Sequence, residues 1–244
     1  MADVFTFMSV GEGLMLLNSS LTFNILFAGV DEFSFSLPAD VTGVDITGEG
    51  IKAKDERVEE KNINGKIVNA LKGMGAKVFG TSGRENNLIH VRRMKGDVDL
   101  GYVGEVTSVD TTVIKRLIKD NIIPVIYPLG VGRDRHVYNV NADDVASELA
   151  VALNAEKFVL LTNVKGVLRD RKDPGSLYKT LKASDAEKLI KRKIIDGGMI
   201  PKALSCINAI KGGVKKAHIL DASMPHALLL EIFTDTGIGT EIVK

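Results

Sequence analysis

Tryptophan is absent from this chain of 244 residues, cysteine occurs once, and aromatic residues make up only 5% of it. A single thiol, Cys206, excludes a disulfide framework and a cysteine-rich zinc site, and it suits a reducing compartment. Four histidines without metal-ligand spacing predict no metal site. Residues 1–51 contain no Lys or Arg and carry seven of the 31 acids, a net of −7. The other 24 acids stand against all 32 cations in residues 52–244, a net of +8 there, so cations for an anionic ligand come from the second part. A total of +1 argues against a generic nucleic-acid binder. Long apolar runs are lacking too. Leu14 to Val30 is broken by Asn18, Ser19, Ser20, Thr22 and Asn24, and no basic region precedes it. It reads as strands or a helix inside a soluble domain, with the cytoplasm as the default location and no membrane partner.

What is present is ordinary globular composition, 45% apolar and 26% charged, in a length that suits one large α/β domain or two small lobes. After residue 60, short β-branched runs alternate with amphipathic stretches of helical length. Helices are predicted over 63–74, 111–120, 143–153, 184–192, 199–210 and 225–233. Strands are predicted over 77–79, 88–91, 122–127, 158–161, 217–220 and 239–243, with a glycine-punctuated strand pair at 99–106. Such alternation implies a mostly parallel sheet covered on both faces, with ligands at loops beyond the strand carboxyl ends. The charged stretch Ile51 to Asn62 is the predicted boundary.

Three constellations stand out. In Tyr138 to Asp144, Asn141 is a natural N-cap, and Asp143 and Asp144 suit the positive end of a helix dipole. Asn139, two residues earlier, is left over from that reading and offers an amide to a ligand carboxylate. In Asp196-Gly197-Gly198-Met199-Ile200-Pro201-Lys202, two glycines open a helix with a lysine in its first turn. It reads either as a phosphate site or as a plain connection with a first-turn proline. Leu160 to Val167 is a strand running into a loop of the kind that holds nucleotides, and also of the kind that simply turns. Thr81 to Arg84 and Gly130-Val131-Gly132 follow strands, yet neither matches the GxxxxGK[ST] or GxGxxG patterns. His218, inside a strand, reads as a satisfied structural residue.

From Gly65-Lys66-Ile67-Val68 onward the chain resembles the acetylglutamate kinases of the amino-acid-kinase family. The resemblance rests on Asp99 to Val109, Asn139 to Asp143, Gly197 to Lys202 and Pro225 to Asp235, in the family's order. It implies a three-layer αβα fold with a central, mostly parallel sheet. The implied division is a single domain over 1–244: an atypical segment 1–50, a substrate and dimerisation lobe 51–135, and a nucleotide-binding lobe 136–244. The implied reaction is ATP-dependent phosphorylation of the N-acetylglutamate side-chain carboxylate, a step of arginine synthesis, with Mg²⁺ carried by the nucleotide. Lys202 falls on the phosphoryl-stabilising lysine and Asp143 on the acid that organises the catalytic lysines. Asn139 falls on the substrate-binding asparagine, and Asn141 and Lys52 are grouped with it. Thr162, Asn163, Val164, Gly166, Val167, Ile194, Asp196, Gly197 and Gly198 fall on nucleotide contacts. His226, Glu231 and Gly237 lie in a segment like that of arginine-inhibited members. Homo-oligomers, dimers or hexamers, are implied as well.

The departures lie mainly in residues 1–50. The family's opening strand with Lys-x-Gly-Gly and its later Gly-Gly-Gly loop are missing there, and with them a second phosphoryl-stabilising lysine. Gly50-Ile51-Lys52-Ala53-Lys54-Asp55 stands where the family has Gly-Leu-Arg-Val-Thr-Asp, so Lys52 replaces a carboxylate-clamping arginine without its bidentate fork. Thr162-Asn163 stands where the family has Thr-Asp. The alternative expectation is therefore a catalytically impaired paralogue that binds nucleotide or arginine and regulates a partner.

Overall fold

The computed structural model describes residues 64–96, 100–234 and 237–244, together with the backbone of three strands at 9–10, 22–27 and 30–36. Lys52, Asp99 and Asp235 lie outside the described residues. The described residues fall in two compact units, one holding those three strands and Leu149–Lys244, the other the residues up to Glu148.

The first unit is built on a five-stranded sheet. Its strands, in spatial order, are β1 (Ser9–Val10), β10 (Lys157–Thr162), β12 (Lys216–Asp221), β13 (Thr240–Val243) and β11 (Thr180–Lys182). Only the β12–β13 pairing is antiparallel. Phe158, Val159 and Leu160 of β10, and Ala217, Ile219 and Leu220 of β12, are fully buried. Successive strand residues point to opposite faces, so unbroken burial means that both faces are covered. Helices α4 (Ala183–Lys191), α5 (Met199–Lys211) and α6 (Ala227–Phe233) belong to this unit. Val159 and Leu220 pack with Leu228 and Ile232 of α6, which places that helix on one face. Each such aliphatic side chain contributes about 1.5–3 kcal/mol on burial. Backbone pairing also joins β2 (Thr22–Phe27) and β3 (Val30–Ser36) as an antiparallel hairpin.

In the second unit, helix α1 (64–73) buries the predicted stripe Ile67, Val68 and Leu71. The Asn64 side chain donates to the Val125 carbonyl at 2.9 Å, fastening α1 to β7 (Ile123–Tyr127). Strand β7 pairs in parallel with β4 (Val78–Ser82). A four-stranded sheet follows the order β6 (Gly104–Val109), β5 (Ile89–Arg93), β8 (Leu129–Gly132), β9 (Val137–Asn139). Its β5–β6 and β8–β9 pairs are antiparallel. Helices α2 (Thr112–Lys119) and α3 (Ala142–Ala152) follow β6 and β9 respectively.

Every helix and strand predicted after residue 60 has a counterpart, with two adjustments. Of the strand pair expected at 99–106, the described residues show one strand, β6, entered through a turn at Gly101 (φ +67°), with a separate bridge from Val103 to Asn139. The strands β8, β9 and β11 carry no sequence signal, being three or four residues long. Gly130-Val131-Gly132 is part of β8, where a Cβ on Gly130 would stand 2.2 Å from Val91 Cγ1, so close strand packing accounts for that glycine.

Candidate active site

The candidate site residues lie at the end of β9 in one unit, and at the end of β10 and the start of α5 in the other. At the end of β9, the Asn139 amide donates to the Tyr102 carbonyl at 2.8 Å and the Val140 amide to that of Pro128 at 3.0 Å. These bonds fix the backbone just before α3. The Asn141 side-chain oxygen accepts the Asp144 amide at 3.1 Å and its carbonyl accepts Val145, so Asn141 is the N-cap that its residue type predicts. Asp143, in the first turn of α3, is buried, whereas Asp144 beside it is exposed. An anion there is favoured by the helix dipole. Beneath Asn139, the Tyr138 hydroxyl donates to Asp134 at 2.6 Å, and that bond above all holds the Asp134 carboxyl below its usual range. Tyr102 stacks edge-on against Tyr138 at 5.6 Å.

In the other unit, β10 ends at Thr162, whose hydroxyl accepts the Val164 amide at 3.1 Å and donates to the Val164 carbonyl at 2.9 Å. This tight turn leaves Asn163, Val164 and Lys165 exposed, then buries Gly166 and Val167. Gly166 has φ +138° and a Cβ there would stand 2.5 Å from Thr240 Oγ1, so no other residue fits. The Val167 amide donates to that same hydroxyl at 2.8 Å.

The segment Ile194 to Gly198 leads into α5. Gly197 adopts φ +52°, and Arg171 pairs with the Asp196 carboxylate while also donating to its carbonyl at 3.1 Å. The amides of Met199 and Ile200 donate to the Asp196 and Gly197 carbonyls at 3.2 and 3.1 Å. The first turn of α5 therefore presents fewer amides to an anion than its two glycines suggest. Pro201 contributes none, which leaves the exposed Gly197 and Gly198 amides and the half-buried Lys202. Asn139, Asn141 and Asp143 thus group in one unit, and the strand-end loop, the Asp196 turn and Lys202 in the other.

Near the C-terminus, His226 is exposed in a left-handed conformation at the start of α6. Glu231 is buried. Its Oε1 meets His218 Nδ1 at 2.8 Å, and its Oε2 accepts the amides of Ile238 at 2.6 Å and Gly239 at 2.9 Å. Burial raises the carboxyl pKa, but the bonds from His218, Gly239 and Ile238 outweigh it and bring it down to about 2. Gly237 has φ +55°, and a Cβ there would stand 2.9 Å from Glu231 Oε2. His218 is half satisfied, since its Nε2 is buried without a hydrogen-bond partner among the described residues. The contacts of Thr240 with Val167, Arg171 with Asp196 and His218 with Glu231 carry no signal in the sequence, because each pair is separated by 13 or more residues along the chain. No group of three or more His, Cys, Asp or Glu suited to a metal comes together among the described residues. No helix among them is long and apolar enough to cross a membrane.

A mixed α/β architecture with parallel strands ending in loops is shared with kinases of solved structure. Carbamate kinase from Giardia lamblia bound to AMP-PNP superposes with a TM-score of 0.58 at 18% identity, over 80% of this chain and 78% of that one, a likeness of fold. The N-acetylglutamate synthase from Neisseria gonorrhoeae complexed with coenzyme A and L-arginine gives a TM-score of 0.68 at 27% identity. That match covers 78% of this chain, which spans only 45% of the synthase. Residues 41–221 match the model of the Amino acid kinase family. The chain belongs to the amino acid kinase family. Within it, the similarity is to acetylglutamate kinases. It is 47% identical to that of Moorella thermoacetica, over 77% of this chain and 67% of the relative. With that of Petrotoga mobilis the identity is 46%, over 84% of this chain and 68% of the relative.

Proposed function

We propose that the protein transfers the γ-phosphoryl group of ATP to the side-chain carboxylate of N-acetyl-L-glutamate, a step of arginine biosynthesis. The observation that carries this reading is the identity above 45% with two acetylglutamate kinases over more than three quarters of the chain. In the reaction a carboxylate oxygen bonds to the γ-phosphorus, the bond from that phosphorus to the β,γ-bridging oxygen breaks, and an acyl phosphate and ADP result. Positioning and cationic charge on the phosphoryl oxygens supply most of the catalysis in such transfers.

Lys202, at the head of α5, is the residue proposed to neutralise the moving phosphoryl, and buried Asp143 the acid that orients it. Asn139 is proposed to donate to the substrate, and so is the side-chain NH₂ of Asn141, whose oxygen caps α3. Lys52 is proposed to pair with a substrate carboxylate. Thr162, Asn163, Val164, Gly166 and Val167, with Ile194, Asp196, Gly197 and Gly198, are the proposed nucleotide contacts, placed after a parallel strand and ahead of a helix. Mg²⁺ is proposed to arrive on the ATP phosphates, since it keeps much of its water and needs few protein ligands there. Arginine is the proposed effector at His226, Glu231 and Gly237. A homo-oligomer, dimer or hexamer, in the cytoplasm completes the reading.

Hydroxylamine traps acyl phosphates as hydroxamates. Hydroxamate that requires both ATP and N-acetylglutamate is the expected result. Purified, folded protein that forms none overturns the reading.

A further inference from the structure

We infer that Thr240 is a positioning residue for nucleotide binding, and that the buried Glu231–His218 pair behind it fixes where the Thr162 to Val167 loop stands. The inference rests on the proposal that this loop contacts nucleotide. The Val167 amide, at the loop's end, is buried and donates to a side-chain hydroxyl 73 residues along the chain, at 2.8 Å. Thr240 is fully buried at the start of β13, in register with Ile219 of β12. Gly166 keeps the approach open, because any Cβ there would occupy the hydroxyl's place.

The segment that carries Thr240 is itself fastened on both sides. Glu231 Oε2 accepts the amides of Ile238 and Gly239, the two residues just before Thr240. Its other oxygen is held by His218, which stands in register with Glu241, the residue just after. Lys179 adds a second tie, donating through Nζ to the Gly237 carbonyl at 2.9 Å and accepting the Glu241 amide on its own carbonyl at 2.8 Å. Hydrogen bonds at both ends of a short stretch of chain thus link the buried carboxylate to the loop: Glu231 holds the Ile238 and Gly239 amides, the chain runs on to Thr240, and the Thr240 hydroxyl holds Val167. Replacing the hydroxyl by a methyl group leaves the Val167 amide buried without an acceptor, and the loop moves to recover one.

The test uses the full chain. Mg·ATP binding is measured by calorimetry, and KM for ATP and for N-acetylglutamate in the hydroxamate assay, for the wild type, Thr240→Val, Thr240→Ser and Glu231→Gln. Thr240→Val is expected to weaken Mg·ATP about tenfold, equivalent to 1.4 kcal/mol, with KM for N-acetylglutamate unchanged. Thr240→Ser, which keeps the acceptor, is expected to restore wild-type affinity, and Glu231→Gln to weaken Mg·ATP about threefold. Unchanged Mg·ATP binding in Thr240→Val overturns the inference, as does an equal loss for both substrates. Should Thr240→Val fail to fold, unchanged binding in Glu231→Gln overturns it. A wild type that binds Mg·ATP but forms no hydroxamate overturns the kinase reading alone, while one that binds no Mg·ATP overturns both.

Discussion

Lys202 stands in the first turn of α5, a turn whose Met199 and Ile200 amides are already committed to carbonyls. In the proposed reading the ammonium is the charge that meets the moving phosphoryl, with the Gly197 and Gly198 amides to assist it. Lys202→Met is expected to lower kcat by about 10²–10³, the scale of losing one preorganised donor to developing charge. Hydroxamate assays and thermal unfolding of the same sample check this, since unfolding is expected to be unaffected. Glu231 makes a different prediction. Its folded pKa of about 2 lies below the ordinary 4.5, so its contribution is fully present above about pH 4.5 and fades as pH falls toward 2. The component lost is about 3 kcal/mol. Thermal unfolding across pH 2–6 is expected to be steeper in that window for the wild type than for Glu231→Gln. Parallel curves would show that the carboxylate contributes no such linkage.

At the scale of elements, α3 shows how a cap and a buried acid share one short segment. Asn141 ends the β9 connection and accepts the Asp144 amide, and the helix it starts carries Asp143 in its first turn. Asn141→Ala is expected to cost about 1 kcal/mol of stability, read as a lower urea midpoint at an unchanged slope, and Asn141→Ser to recover most of it. Elements of this kind were legible in advance. The stripe of Ile67, Val68 and Leu71 placed α1, and the run Phe158 to Leu161 placed β10. Strands β8, β9 and β11 were not, because segments of three or four residues with glycine or polar residues have no period to detect. Their pairing partners supply the order that their own residues lack.

At the scale of the whole molecule, charge is divided along the chain, −7 over residues 1–51 and +8 over the rest. That division alone puts any cation for an anionic ligand in the later part, where Lys202 lies. The N-terminal backbone adds β1 beside β10, pairing Ser9 with Leu160 and Val10 with Leu161, so this unusual segment contributes a parallel edge strand. Local pattern thus determined the alternation of strands and helices, the cap at Asn141, the glycine-led start of α5 and the kinship they point to, since each is written in residues within a turn or two of one another. Tertiary structure alone decided which buried groups meet: Val167 with Thr240, Glu231 with His218 and two amides, Arg171 with Asp196. Hydrogen bonds over such sequence separations leave no local periodicity. They exist only once the sheet has set its strand order and brought distant segments into register.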